Sequence, residues 1–272
     1  MIDGSVMERG LVLLGCGKMG SAMLEGWLAE GLPAGAATVL DPQPSPRLQE
    51  LAAEGLRLNA ELPEAPALCL LAVKPQMMVE ALPQVRNLAG SGTLFLSIAA
   101  GTPLAFFSAA LGADVAIIRA MPNTPAAIGR GITALIGNDA VSEAQMTLAE
   151  GLLAAIGGTV RLDDEAQMDA VTALSGSGPA YVFHLIEAMT EAGVAEGLPA
   201  ELALTLARQT VAGAGALAAD AADPGQLRTD VTSPGGTTAA GLAVLMEEEK
   251  GLRPLLRATI SAAARRSREL RG

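Results

Sequence analysis

The chain has 272 residues, enough for one large domain or two smaller ones, and half of its residues are hydrophobic. Its net charge of −11 argues against nucleic acid or an anionic membrane surface as a partner. With one histidine, a histidine-rich metal centre is excluded, and the two cysteines, Cys16 and Cys69, lack the spacing of a metal site, so we expect no bound metal.

The hydrophobic residues are not arranged as a membrane segment. No uncharged apolar run reaches the roughly 20 residues that a helix needs to cross a bilayer. The N-terminal segment carries Asp3, Glu8 and Arg9 and does not resemble a signal peptide. We therefore expect a cytoplasmic protein whose cysteines are reduced thiols.

The first part of the chain alternates short apolar runs with stretches of helical periodicity. Strands are predicted over residues 11–14, 38–40, 67–73, 93–98, 115–120, 132–136 and 159–162. The helical stretches between them include residues 19–30, 47–54, 76–88 and 142–156. Continuous apolar strands that alternate with helices indicate an α/β fold with a doubly wound parallel sheet, covered by helices on both faces.

The pattern changes after Asp163. Residues 165–271 contain no predicted strand, only helical stretches separated by Gly and Pro. Pro179, Pro199 and Pro234 stand where a helix could begin, because proline is tolerated in the first turn. We therefore predict an α/β domain over residues 1–165 and an all-helical domain over residues 166–272. The small Ala and Gly faces of the helical domain favour association with a second copy.

A glycine-rich loop follows the first predicted strand and precedes the first helical stretch. It reads Gly15, Cys16, Gly17, Lys18, Met19 and Gly20. Gly15 permits a tight turn, Gly17 lets the backbone approach a pyrophosphate, and Gly20 permits close packing of helix on strand. The helix start would add free N–H groups and a partial positive charge. The loop predicts a Rossmann-like dinucleotide site, and the alternative is a purely structural turn.

The end of the second predicted strand bears on the choice between NAD and NADP. Asp41 there favours NAD, because a carboxylate binds the ribose 2′-hydroxyl and repels a 2′-phosphate. Ser45 and Arg47 could still receive a phosphate. Asp41 could also do no more than begin a turn before Pro42, so the sequence leaves the cofactor open between NADP and NAD.

Lysine is rare, and Lys74 ends the third predicted strand, directly before Pro75. In an open parallel sheet the ligand lies beyond the carboxyl ends of the strands. This position places Lys74 at the mouth of the predicted site, unless it is an ordinary surface charge.

Six segments together resemble the pyrroline-5-carboxylate reductase family. They are GCGKMG at 15–20, LAVKPQ at 71–76, SIAAG at 97–101, RAMPNTP at 119–125, TALSGSGPAY at 172–181 and LRTDVTSPGGTT at 227–238. They span nearly the whole chain in the family's order. The resemblance implies NAD(P)H-dependent reduction of 1-pyrroline-5-carboxylate to L-proline, the last step of proline biosynthesis, by a homo-oligomer with interlocking helical domains.

The resemblance also implies roles for individual residues. The glycine loop would hold the pyrophosphate, and a second group would face the ribose and nicotinamide: Asn59, Ala72, Val73, Lys74 and Pro75. Met121 and Asn123 would form a wall near the reacting carbon. The substrate carboxylate would be bound by Ser233, Gly235, Gly236, Thr237 and Thr238, with Thr238 near the ring nitrogen. Asp41 and Asp230 depart from the family, which commonly has Ser, Thr or Asn at the first position and Asn at the second.

The scarcity of acid–base side chains fits an imine better than a ketone. Reduction of a carbonyl needs an acid that protonates the developing alkoxide. His184 and Tyr181 lie in an apolar helical stretch and are expected to be structural. An imine can bind already protonated, so that hydride attack neutralises charge. The Thr238 hydroxyl is then expected to orient the nitrogen, whether or not it donates a proton.

Residues 233–238 precede an apolar helical stretch, and their hydroxyls and backbone N–H groups could bind an anion without lysine or arginine. The alternative is an ordinary helix cap. Two other functions stay open. A hydroxyacid dehydrogenase would rely on a lysine in the helical domain, where only Lys250 occurs. A non-catalytic dinucleotide-binding protein would be expected to have a degraded 233–238 segment.

Overall fold

The computed structural model describes residues 2–219 and 223–270. The predicted domains also include residues 1, 220–222 and 271–272, which lie outside the described part. The chain divides into two compact units, one of Met1–Gly176 with Ala264–Gly272 and one of Ser177–Ala263.

An eight-stranded sheet forms the centre of the first unit, in the order β3-β2-β1-β4-β5-β6-β7-β8. The strands are β1 Leu11–Leu14, β2 Ala37–Leu40, β3 Arg57–Leu58, β4 Leu68–Leu71, β5 Leu94–Ser97, β6 Ile117–Met121, β7 Gly131–Gly137 and β8 Gly157–Arg161. All seven predicted strands are present, and the predicted α/β doubly wound sheet is confirmed. Its first six strands have the order of a Rossmann fold.

The sheet departs from the prediction at one pair. β6 and β7 are antiparallel, whereas the other neighbouring strands are parallel. The connection between β6 and β7 contains only a short 3₁₀ helix, Thr124–Ile128. A parallel crossover needs a dozen or more residues, so this short connection returns the chain in the opposite direction.

Helices cover both faces of the sheet. They are α1 Gly4–Arg9, α2 Lys18–Ala29, α3 Pro46–Ala53, α4 Met78–Ala81, α5 Leu104–Leu111, α6 Glu143–Leu153 and α7 Met168–Val171. The prediction of one helix over residues 76–88 is wrong in part, because α4 continues as a 3₁₀ helix, Leu82–Leu88. Pro83 lacks the N–H that an α-helix would use there, which accounts for the change.

The alternation of side chains in β1 explains why its sequence is apolar throughout. Leu11 and Leu13 belong to one buried cluster, together with Trp27 of α2, and Val12 and Leu14 belong to a second cluster on the other face. Successive residues of a strand point to opposite faces, so a central strand between two helical layers needs an apolar residue at each position.

The helical unit contains α8 Gly178–Ala195, α9 Ala200–Ala219, α10 Pro224–Asp230, α11 Thr237–Leu245 and most of α12 Leu252–Glu269. As predicted, the described residues after Asp163 form no strand. Pro179 lies in the first turn of α8 and Pro199 directly precedes α9. The expectation for Pro234 is wrong, because α11 begins at Thr237 after a turn.

Helix α9 is exceptional in its composition. Of the helices in the described part, it alone is long and apolar enough to cross a membrane by length and composition, and 11% of the tested window is buried. It nevertheless carries Glu201 and Arg208. Its exposed apolar side chains include Leu202, Leu206 and Leu217.

Candidate functional site

A cavity of about 360 Å³ lies at the carboxyl ends of β2, β1 and β4. It is lined by Leu14 and Leu40 at the ends of two of these strands, and by Val73 just beyond the third. β1 lies between β2 and β4, so the strand order reverses here. In open α/β sheets, ligands bind at this switch point.

The glycine loop lies at this edge of the sheet. Gly15 has a φ of +85°, and a Cβ there would lie 2.7 Å from Cγ1 of Val73. A Cβ on Gly20 would lie 3.2 Å from the Gly15 carbonyl oxygen and 3.4 Å from Cβ of Ala72. A Cβ on Gly17 would meet no atom within 4 Å. The loop is therefore closely packed on its inner side and open at Gly17.

Helix α2 begins directly at this opening. Gly17 is its N-cap residue and provides no side-chain hydrogen bond, so the first N–H groups of α2 stay available to an anion. Lys18 is exposed, whereas the half-buried Met19 packs against the core. Met19 can therefore contribute its backbone N–H, but its side chain is engaged elsewhere.

Asp41 is held by its own turn and by two other segments of the chain. Its carboxylate accepts hydrogen bonds from the backbone N–H groups of Cys16 and Gln43, both at 2.8 Å. The Asn59 side chain accepts a bond from the Asp41 N–H and donates one to the Asp41 carbonyl, both at 2.9 Å. Asn59 lines the cavity, but its amide is already engaged with the backbone of Asp41.

The two residues that could receive a phosphate have other partners. The Ser45 hydroxyl caps α3 and accepts a hydrogen bond from the N–H of Leu48 at 3.3 Å. Arg47 donates to Glu25 at 2.8 Å and to Glu50 at 3.2 Å. These carboxylates raise the pKa of the Arg47 guanidinium further, first through Glu25, and keep it charged.

The residues after β4 complete this edge. Ala72 and Val73 lie against the glycine loop, and Lys74 precedes the short 3₁₀ helix Pro75–Met77. Lys74 and Pro75 are exposed. At this edge the structure therefore brings the glycine loop together with Asp41, Asn59 and the residues after β4, from four segments of the first unit.

Both cysteines are buried free thiols. Burial raises the pKa of Cys16 and, more strongly, that of Cys69 above the ordinary thiol value. A raised pKa leaves less thiolate, which is the reactive form, at neutral pH. We expect iodoacetamide to label neither cysteine in the native protein at neutral pH and both in urea, as measured by mass spectrometry. Rapid native labelling of Cys16 would contradict the buried arrangement of the glycine loop.

Met121 ends β6, and Asn123 follows shortly after it in the same unit. The Asn123 amide nitrogen donates to the carbonyl and hydroxyl oxygens of Ser175, both at 3.3 Å, and its oxygen accepts from the N–H of Ile132 at 3.0 Å. Ser175 belongs to a π-helix, Thr172–Gly176, and π-helical turns are frequent at functional sites. The sequence indicated a possible helix start at Pro179 but not this π-helix, since widened helical turns have no sequence pattern of their own.

The predicted substrate loop lies in the helical unit. Gly235 has a φ of +69°, and the N–H of Gly236 donates to the carbonyl of Ser233 at 3.0 Å. Gly236 is the N-cap of α11 and provides no side-chain cap. Ser233, Thr237 and Thr238 are exposed. This arrangement offers hydroxyl groups and uncapped N–H groups to an anion.

The other candidate acids lie on α8. The imidazole of His184 is 3.0 Å from a carboxylate oxygen of Glu187, and both side chains are exposed. Tyr181 is partly exposed on the same helix. His184 is thus a surface residue of the single chain, although its sequence neighbours suggested an apolar surrounding.

The sheet order, the glycine loop and the switch-point cavity are those of a dinucleotide-binding oxidoreductase with a separate helical unit. Residues 11–101 match the family described as NADP oxidoreductase coenzyme F420-dependent, and residues 165–270 match the family described as pyrroline-5-carboxylate reductase dimerisation. The chain belongs to the pyrroline-5-carboxylate reductase family.

Individual relatives support this assignment along the whole chain. The pyrroline-5-carboxylate reductase of Pseudomonas aeruginosa is 40% identical over 96% of both chains, and that of Pisum sativum is 39% identical over 96% of this chain and 95% of its own. The solved structure of the Coxiella burnetii enzyme has a TM-score of 0.90 at 32% identity and covers 97% of this chain and 99% of its own. The predicted family and the prediction of an NAD(P)-dependent oxidoreductase are confirmed.

Proposed function

We propose that the chain reduces 1-pyrroline-5-carboxylate to L-proline with NADH or NADPH, as the last step of proline biosynthesis. The observation that carries this proposal is the 40% identity to the Pseudomonas aeruginosa reductase over 96% of both chains. The glycine loop at the switch point and the open N-terminus of α11 supply the two kinds of binding surface that the reaction needs.

The cofactor would be held by residues of the first unit. The proposed set is Gly15, Cys16, Gly17, Lys18, Met19, Gly20, Asp41, Ser45, Asn59, Ala72, Val73, Lys74 and Pro75. The N–H groups at the start of α2 fit a pyrophosphate, and the Asp41 carboxylate fits a ribose hydroxyl as hydrogen-bond acceptor. When bound, the reduced nicotinamide supplies the hydride.

The substrate would be held by its carboxylate at the start of α11. Ser233, Thr237 and the backbone N–H groups beyond Gly235 and Gly236 supply donors without a formal charge. Thr238 orients the ring nitrogen of the protonated imine. Met121 and Asn123 belong to the wall that excludes water from the reacting carbon. The chain's task is then to position and desolvate the substrate.

The working enzyme is a cytoplasmic homo-oligomer, either a dimer or a larger assembly. Residues 165–270 match a dimerisation domain. These bounds nearly coincide with those of the proposed helical domain, residues 166–272, which follows a proposed cofactor domain of residues 1–165. Large apolar side chains of the single chain are exposed there, including Phe183 at 59% and Val244 at 72%. A second copy that covers them would bury apolar surface, which favours association.

The proposed reaction is tested by the absorbance of the reduced nicotinamide. Addition of 1-pyrroline-5-carboxylate to the protein and NADH or NADPH is expected to remove this absorbance, whereas a 2-keto acid is expected to leave it unchanged. Faster oxidation with the keto acid, or none with either substrate, would reject the proposal.

A further inference from the structure

We propose that this chain selects NADH over NADPH, and that the Asp41 carboxylate is the group that excludes the 2′-phosphate. The inference rests on the proposed function, because it concerns the same cofactor site. It goes further by committing to one of the two cofactors and by assigning the choice to one residue.

The carboxylate of Asp41 cannot easily turn away from the cavity. One oxygen accepts the N–H of Cys16 in the glycine loop and the other accepts the N–H of Gln43, both at 2.8 Å. Rotation of the carboxylate would leave both N–H groups without this acceptor. A 2′-phosphate on a ribose at the end of β2 would therefore meet a fixed negative charge.

The backbone of Asp41 is held as well. The Asn59 side chain pairs with both the N–H and the carbonyl of Asp41, and Asn59 itself has a φ of +48°, a left-handed conformation that asparagine adopts more readily than most residues. Its N–H also donates to the carbonyl of Val39 at 2.8 Å. The segment after β2 is thus tied to the segment after β3, which limits its ability to widen around a phosphate.

The charges that line the cavity are negative. Of the described residues that line it, the charged ones are Asp41 and Glu80. A phosphate monoester carries a charge of about −1.5 to −2 at neutral pH. Sites that accept NADP usually place an arginine near the 2′-phosphate. Among its described lining residues, this cavity has two carboxylates and no cation to offset them.

Arg47, the cation that follows β2, already has carboxylate partners. Its guanidinium lies 2.8 Å from Glu25, 3.2 Å from Glu50 and 3.9 Å from Glu54. Each of these exposed pairs is weak alone, but three carboxylates leave an excess of negative charge around one arginine. A phosphate that attracted Arg47 would also approach those carboxylates.

The two lysines of the first unit lie at other parts of the site. Lys18 belongs to the start of α2 and Lys74 follows β4, whereas a 2′-phosphate is expected next to the turn after β2. The hydroxyl of Ser45, in that turn, already caps α3. The turn after β2 therefore offers the 2′-hydroxyl an acceptor and offers the 2′-phosphate no free cation.

The experiment is a calorimetric titration of the purified full chain with NADH and with NADPH. We expect NADH to bind at least about tenfold more tightly. Asp41→Asn is expected to reduce this preference at least about tenfold, because it removes the charge at nearly constant shape. The double variant Glu25→Gln/Glu50→Gln is expected to tighten NADPH binding and to leave NADH binding unchanged, because Arg47 becomes available.

Asp114→Asn is the matched control, since it removes one exposed carboxylate from the turn after α5 of the same unit. An equal change of preference in this control would assign the effect to net charge and overturn the role of Asp41. Equal or tighter binding of NADPH by the unaltered protein would overturn the inference while leaving the reductase function intact. If neither dinucleotide bound, the proposed function would fail and this inference with it. If Asp41→Asn did not fold, the Glu25→Gln/Glu50→Gln variant would still test the proposal. An unchanged preference for NADH over NADPH in that variant would count against the proposal.

Discussion

Gly15→Ala is expected to weaken dinucleotide binding by about a hundredfold or more, because the added methyl group has no space and the loop must move. Its Cβ would lie 2.7 Å from Cγ1 of Val73 and 3.1 Å from the carbonyl carbon and oxygen of Ala72. Two of these three atoms are backbone, which cannot rotate aside. The displaced loop would carry the first N–H groups of α2 away from the pyrophosphate. Calorimetric titration with NADH measures the change.

Gly31→Ala is the matched control for this variant. Gly31 also has a positive φ, +98°, but a Cβ there would meet no atom within 4 Å. Both variants carry the left-handed strain of alanine, about 1–2 kcal/mol, but only Gly15→Ala adds the collision at the site. Gly31→Ala should therefore lose some stability and keep its affinity for the cofactor. Equal affinities in the two variants would contradict the assignment of the glycine loop.

Thr238→Ala is expected to lower kcat/KM for 1-pyrroline-5-carboxylate by about ten- to a hundredfold, the range that corresponds to one lost hydrogen bond to a charged group. The apparent KM should rise and turnover should fall, because the hydroxyl is proposed to hold the ring nitrogen in place. Thr238→Ser keeps the hydroxyl and is expected to remain close to the unaltered enzyme. Steady-state kinetics with saturating cofactor give both parameters.

Thr205→Ala removes the same atoms from the exposed side of α9, where the Thr205 hydroxyl only bonds back to the carbonyl of Glu201 at 2.9 Å. Its kinetics should be unaltered. If the kinetics of Thr238→Ala were also unaltered, Thr238 would not belong to the substrate site. Another group of the carboxylate-binding loop would then have to orient the imine.

The strands of the sheet were predictable because their signal is local. Each central strand is buried on both faces and is therefore apolar at nearly every position, as β1 and β4 show. β3 was missed, since Arg57–Leu58 is a two-residue edge strand with one exposed residue. The reversal between β6 and β7 was also missed, because strand direction depends on the connection and not on the strand's own sequence.

The glycine loop of the site was predictable from the sequence, whereas the hydrogen-bond network around Asp41 was not. The glycine loop occupies six consecutive residues, so its spacing, together with the strand before it and the helix after it, indicates a phosphate-binding turn. The network around Asp41 joins Cys16, Gln43 and Asn59, and the sheet order brings distant parts of the chain together to form it. The engagement of Arg47 by Glu25 has the same origin, and the sequence alone did not indicate it.

The central claim is that hydride passes from a reduced nicotinamide to the imine carbon of 1-pyrroline-5-carboxylate, and isotope labelling tests it most directly. The enzyme should be incubated with this substrate and a reduced cofactor that carries deuterium at the transferred position, and the product analysed by mass spectrometry. The account predicts L-proline with a single deuterium on the former imine carbon. Proline without deuterium, or oxidised cofactor without proline, would contradict it.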